Sequence, residues 1–124
     1  MTVNSFEELD VYKACRAFRR NMSVLTKRFP SEERYRLTDQ LIRSSRSITA
    51  NIAEGFGRFH FQENIQFCRQ ARGSLTESLE HVLVAHDEQY IDDGLLERIR
   101  TQYNQCLKLL NGYIGYLQKQ KMAK

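Results

Sequence analysis

A single proline, Pro30, and only six glycines punctuate the 124 residues. With so few breakers, long helices are favoured over a loop-rich fold. No apolar run approaches the ~20 residues of a membrane-spanning helix. The stretch from Met1 to Asp10 has neither a basic segment nor an apolar core. No secretory signal is therefore expected, and the cytoplasm is the default compartment. The cysteines number three, an odd count, and no Cys-x-x-Cys pair occurs. That argues against a disulfide framework or a structural zinc site. Cys15, Cys68 and Cys106 instead sit in apolar stripes, where cysteine acts as a small hydrophobe. Strand-type alternation, hairpin signals, low-complexity segments and internal repeats are also missing.

The composition, 41% hydrophobic and 27% charged, is that of a globular chain. Its length suits one domain, 1–124, around one core. Four helices are expected, at about 5–29, 33–55, 59–88 and 92–118. In the first, Val11, Cys15, Phe18, Met22, Leu25 and Phe29 recur every three or four residues, as in a bundle seam. Ser5 is its expected cap, and Phe29-Pro30 ends it, because a residue before proline avoids helical angles. The second carries Leu37, Leu41, Ser45, Ile48 and Ile52, and Gly55 and Gly57 are expected to close it. The third carries Phe61, Ile65, Cys68, Ala71 or Arg72, Leu75, Leu79, Val82 and His86, with Ala71, Ser74, Ser78 and Ala85 as a small-residue line beside it. Asp92 or Asp93 caps the fourth, whose seam is Leu96, Ile99, Tyr103, Cys106, Leu110, Tyr113 and Leu117. The tail from Lys119 is expected to fray. Short turns between such helices give an all-α, antiparallel up-down-up-down four-helix bundle, with crossing angles near ~20°.

Charge is unevenly spread. Val11 to Arg46 holds ten Lys or Arg against three Asp or Glu, whereas the chain as a whole is only +4. Lys13, Arg16, Arg20 and Lys27 fall on one line opposite the first seam, flanked by Arg19 and Arg28. No acid interrupts Val11 to Phe29. Solvated helix faces usually mix signs for i,i+4 pairing, whereas an unmixed basic face suits phosphate contacts. Arg43, Arg46 and Arg58 are second-choice contacts. The competing reading is a merely soluble face. Aromatic residues are not interleaved for stacking, so base-specific readout is not expected.

The middle of the chain is crowded with small and polar residues. Arg43, Ser47, Asn51 and Glu54 line the flank of the second helix and need partners if buried. A hydrogen-bonded network within the bundle or across a subunit boundary is expected. Ser47, Asn51, Glu54, Gly55, Ser74 and Glu77 are the structural or interface candidates. The small lines Ser44-Ser47-Asn51 and Ala71-Ser74-Ser78 imply close approach of the second and third helices. Aromatic residues beside the seams (Tyr12, Phe56, Phe59, Phe67 and Tyr116) point to self-association.

Catalytic and metal chemistry find little support. A di-iron bundle needs Glu-x-x-His pairs, but Ser78 precedes His81 and Leu83 precedes His86 by three residues. Glu77 and His81 lie one turn apart, without further ligands in pattern. Gly55-Phe56-Gly57-Arg58 follows a helix rather than a strand, so it is no dinucleotide fingerprint. No Gly-x-Ser-x-Gly elbow or cysteine signature accompanies His60, His81 and His86. No catalytic residue, metal or cofactor is expected, and His60 and His81 read as surface residues.

Leu37-Thr38-Asp39-Gln40-Leu41, Asn51-Ile52-Ala53-Glu54-Gly55-Phe56-Gly57-Arg58 and Ala71-Arg72-Gly73-Ser74-Leu75 together carry a resemblance. From about Val11 to Leu117 the chain resembles the bacterial 23S ribosomal RNA intervening-sequence proteins, also labelled S23 ribosomal protein-like. Members are small and all-helical, and many are encoded inside insertions in ribosomal RNA genes. Related accessory proteins of diversity-generating retroelements assemble into pentameric rings and bind nucleic acid and a reverse transcriptase through basic surfaces. The resemblance implies a four-helix fold, a pentameric homo-oligomer and an RNA or DNA partner; it implies no reaction. Two functions follow as expectations: a non-catalytic oligomer that binds nucleic-acid phosphates, or a protein–protein scaffold for a nucleic-acid enzyme without direct nucleic-acid contact.

Overall fold

The computed structural model describes residues 3–123. Four α-helices lie among the described residues: α1 (Asp10–Leu25), α2 (Leu37–Gly57), α3 (Phe61–Asp87) and α4 (Asp93–Ala123). Each packs on its sequence neighbours, and α1 also packs on α4, which closes an antiparallel up-down-up-down bundle. No strand occurs among the described residues. The α2–α3 pair is the most extensive.

The first helix is shorter than its sequence implies. Ser5 Oγ accepts from the Glu7 amide at 3.2 Å, but what it caps is a 3-10 turn, Phe6–Glu8. Leu9 is extended (φ −68°, ψ 132°) and divides this turn from α1. The cause lies in spacing. Phe6 precedes Lys13 by seven residues, so an unbroken helix would put it on the solvent face with the lysine. The break lets Phe6 rest edge-on against Tyr12, with ring centroids 4.9 Å apart. A second 3-10 turn, Thr26–Arg28, leads to Phe29 and Pro30. A third, Ser31–Glu33, occupies the chain before α2.

The two glycines near the end of α2 are not its C-cap. Both are helical, and no glycine among the described residues has positive φ. The left-handed residue is Phe59 (φ 60°). Gly55 serves a different purpose. A Cβ there would meet Asn64 Oδ1 at 2.7 Å and Phe67 Cβ at 2.9 Å. Its missing side chain is what lets the start of α3 approach α2.

The turn from α3 to α4 is a Schellman motif. Tyr90 N donates to Ala85 O at 2.9 Å and Gln89 N to His86 O at 3.0 Å, with Gln89 left-handed at φ 66°. Asp92 Oδ1 then caps α4 by accepting from Leu95 N at 2.8 Å. The end of α4 stays helical to Ala123 rather than fraying from Lys119. Lys121 Nζ donates to Gln62 Oε1 and ties this end to the start of α3. Lys124 lies outside the described residues.

The core takes Val11, Cys15, Phe18, Met22 and Leu25 from α1, and Leu37, Leu41, Ile48 and Ile52 from α2. On α3 the buried face is rotated from the expected seam. Ser78 and Ala85 are fully buried, while Leu79 and His86 are only half-buried. The small-residue line is thus part of the core itself, because α2 comes close over it.

Candidate nucleic-acid interface

Helical spacing places Lys13, Arg16 and Arg20 on the outer face of α1, and Lys27 follows in the 3-10 turn; all four are exposed. None of them joins an ion pair among the described residues. Other arginines do. Arg43 lies 3.7 Å from Asp39, Arg58 lies 3.1 Å from Glu54 and 3.8 Å from Glu63, and Arg100 lies 3.5 Å from Glu97. The second-choice contacts therefore divide: Arg43 and Arg58 are partly neutralised, and Arg46 is not.

Arg46 belongs to a groove between α1 and α2. Arg19, Arg20 and Ser23 form one wall, and Ile42, Ser45 and Arg46 the other, around about 340 Å³. No acid lines it. Arg19 is half-buried, and its Nη1 donates to Thr49 Oγ1 at 2.8 Å. Thr49 in turn donates to the carbonyl oxygen of Arg46 at 3.4 Å. One buried threonine thus fixes a guanidinium of α1 against the α2 backbone that carries Arg46.

The small-residue candidates meet on the opposite side of α2. Ser44 and Ser78 hydroxyls lie 2.8 Å apart, and Ser74 Oγ donates to Ser47 Oγ at 2.9 Å. Asn51 Nδ2 donates to Ser47 O at 2.8 Å and to Ser47 Oγ at 3.0 Å. Arg43 and Glu54 do not join this network; each is held by a partner four residues away, Asp39 within α2 and Arg58 just past its end. Glu77 is exposed and sits 3.1 Å from His81, whose side chain is half-buried rather than on the surface.

The three cysteines are buried, and the Cys106 thiol is held below its usual range by its bond with Cys15. Cys15 and Cys106 share a side-chain hydrogen bond across α1 and α4; that bond, then burial, pushes the Cys15 thiol well above its usual range. Burial pushes Cys68 up to about 12. Among the described residues, no Ser, Thr or Cys side chain is hydrogen-bonded to a histidine, and no group of three or more His, Cys, Asp or Glu is arranged for a metal ion. His86 Nε2 meets Asp93 Oδ1 at 2.6 Å beside a depression of about 720 Å³, which no serine, threonine or cysteine lines. No helix of the described residues is long and apolar enough to cross a membrane.

Residues 7–112 match the family model of the 23S rRNA-intervening sequence protein. The chain belongs to that family. A solved structure from Bacteroides thetaiotaomicron, a protein of unknown function from the S23 ribosomal protein family, superimposes on this chain with a TM-score of 0.77. The two are 24% identical, and the match covers 85% of this chain and 95% of the other. At that identity the likeness shows the fold. No curated protein matches the chain.

Sequence reasoning missed Ser23, Ile42 and Ser45 as groove residues and Thr49 as the buried hydroxyl behind them, and placed Arg19 only at the flank of the stripe. It also missed Asn64. That side chain is buried, donates to Tyr113 Oη at 3.2 Å and accepts from Cys68 Sγ at 3.4 Å. The one available signal was the 3–4 spacing of Ile42, Ser45, Arg46 and Thr49, which places them along one flank of α2.

Proposed function

We propose that this chain is a non-catalytic, homo-oligomeric binding protein that engages RNA or DNA through phosphate contacts on α1. The observation that carries this reading is the set of four exposed cations, Lys13, Arg16, Arg20 and Lys27, with no acid partner among the described residues. Unneutralised cations at helical spacing suit the regular charge of a nucleic-acid backbone. The pentameric ring implied by the family resemblance would repeat the stripe and add avidity. The raised Cys15 and Cys68 thiols suit packing in the core rather than nucleophilic chemistry.

The test is a fluorescence titration against a short RNA hairpin and a DNA duplex at two salt concentrations. Each phosphate contact should add ~0.9 to the salt slope on duplex DNA and ~0.7 on single strands. Arg16→Glu with Arg20→Glu should weaken binding to all sequences alike while helicity and oligomer mass hold. Equal affinity of both proteins removes α1 from the interface.

A second reading, a scaffold that docks a protein partner without touching nucleic acid, draws on Phe59 and Tyr116, which are 85% and 54% exposed. Failure of the wild type to bind nucleic acid at low salt would favour it.

A further inference from the structure

We infer that the groove between α1 and α2 is a discrete phosphate subsite, in which Arg19, Arg20 and Arg46 close on one phosphate group. The inference rests on the nucleic-acid reading and names its most specific contact. The outer stripe is a row of separate charges on flexible stems. The groove is a different kind of object. Three arginines from two helices line about 340 Å³ that no carboxylate lines. Ser23 and Ser45 place hydroxyl groups at the same lining, and Ser45 Oγ donates to Ile42 O at 3.2 Å.

Arg19 is positioned before any ligand arrives. Thr49 accepts one of its five N–H groups at 2.8 Å, which leaves the rest of the planar fork for an anion. Thr49 also donates to the Arg46 carbonyl at 3.4 Å, so the same hydroxyl registers the two walls. Three like charges around one cavity repel one another, and a bound phosphate relieves that repulsion while accepting several charge-assisted hydrogen bonds. No carboxylate lines the groove to compete with a phosphate for the arginines.

The phosphate has two sources, an internal diester or a terminal phosphate. The experiment titrates wild type with inorganic phosphate by heteronuclear NMR, reading arginine side-chain signals. It then titrates a short oligonucleotide with and without a 5′-phosphate. Arg46→Gln, Thr49→Val and, as a charge-matched control remote from the groove, Arg100→Gln are carried in parallel, with circular dichroism to check folding. Saturable phosphate binding is expected, weakened by at least about tenfold in Arg46→Gln, the scale of a lost hydrogen bond to a charged group. Arg100→Gln should bind as wild type. Thr49→Val keeps every charge, so its salt slope on nucleic acid should stay at the wild-type value while its affinity falls.

Preference for the 5′-phosphorylated strand identifies a terminal phosphate as the ligand, and equal affinity identifies the diester; both support the subsite. Wild-type affinity in Thr49→Val, equal losses in Arg46→Gln and Arg100→Gln, or phosphate binding that does not saturate overturns it. In those cases salt-dependent nucleic-acid binding by α1 would persist. Saturable phosphate binding with no nucleic-acid binding at low salt overturns both readings and leaves a small-anion site.

Discussion

Gly55 and Asn64 set the distance between α2 and α3. A methyl group on Gly55 would stand 2.7 Å from Asn64 Oδ1 and 3.1 Å from the Asn64 carbonyl oxygen. Asn64 cannot swing aside without cost, because Tyr113 and Cys68 hold its side chain. Phe67 Cβ, 2.9 Å away, moves only with its backbone. Alanine favours helix over glycine by about 1 kcal/mol, yet overpacking costs roughly 1–3 kcal/mol. Gly55→Ala should therefore lower stability in urea denaturation. Gly73, within α3, has no atom within 4 Å of its would-be Cβ, and Gly73→Ala should raise stability by up to about 1 kcal/mol. If the two variants move together, backbone propensity and not the Asn64 contact governs Gly55.

The serine seam gives an ordered pair of substitutions. Ser78 is fully buried and bonded to Ser44, whereas Ser74 is half-buried and donates to Ser47. Leucine at either position overfills the α2–α3 contact by roughly 1–3 kcal/mol. Ser78→Leu should lower the melting temperature more than Ser74→Leu, which has room to lean toward solvent. Ser78→Ala should be mild, because Ser44 keeps its bond to Leu41 O at 3.3 Å. A neutral Ser74→Leu, in both melting temperature and oligomer mass, would show that this edge of the seam is free.

The seam of α1 was legible because bulky residues at 3–4 spacing have one way to be buried. Val11, Cys15, Phe18, Met22 and Leu25 all reach the core. On α3 the same rule chose Leu79 and His86 over Ser78 and Ala85, since periodicity weighs side-chain size and the α2–α3 contact rewards smallness. Gly55-Phe56-Gly57 read as a helix stop because glycine usually leaves the helix by positive φ; here close packing needs Gly55, and the exit falls on Phe59. The stripe of Lys13, Arg16 and Arg20 follows from one helix alone. The groove does not. Which residues of α2 face Arg19 depends on the rotation of one helix against another, and spacing within each helix leaves that rotation open.

Tyr90 and Glu33 join the α3–α4 turn to the segment before α2. The Tyr90 hydroxyl donates to Glu33 Oε2 at 2.7 Å, and Glu33 Oε1 accepts from Leu37 N at 3.4 Å. The bond to the carboxylate, and then burial, push the Tyr90 phenol up to about 12 from its ordinary 10.0. A folded-state value above the unfolded one contributes stability that is complete below pH 10.0 and is lost as pH rises through about 12. Tyr90→Phe lacks this contribution at every pH. It should be less stable than wild type at neutral pH, and the gap should close between about pH 10 and 12. Denaturation midpoints of the two proteins across that range test this; a gap independent of pH would mean the phenol proton does not bind Glu33.

Phe59 separates the stability of one chain from its assembly. It is 85% exposed, holds φ at 60° and stands 6.4 Å from the Phe56 ring. A left-handed conformation costs a side-chain-bearing residue roughly 1–2 kcal/mol and glycine nothing comparable. In an isolated bundle, Phe59→Gly should therefore raise stability by about 1 kcal/mol, since little burial is lost. Strain kept at an exposed aromatic suits a contact that forms outside the chain. If Phe59 lies in a subunit boundary of the proposed homo-oligomer, Phe59→Gly should lower the mass seen by light scattering at micromolar concentration, even as the dissociated chain gains stability. Unchanged mass in Phe59→Gly would place the boundary elsewhere, and a wild type that is monomeric under these conditions would remove the ring.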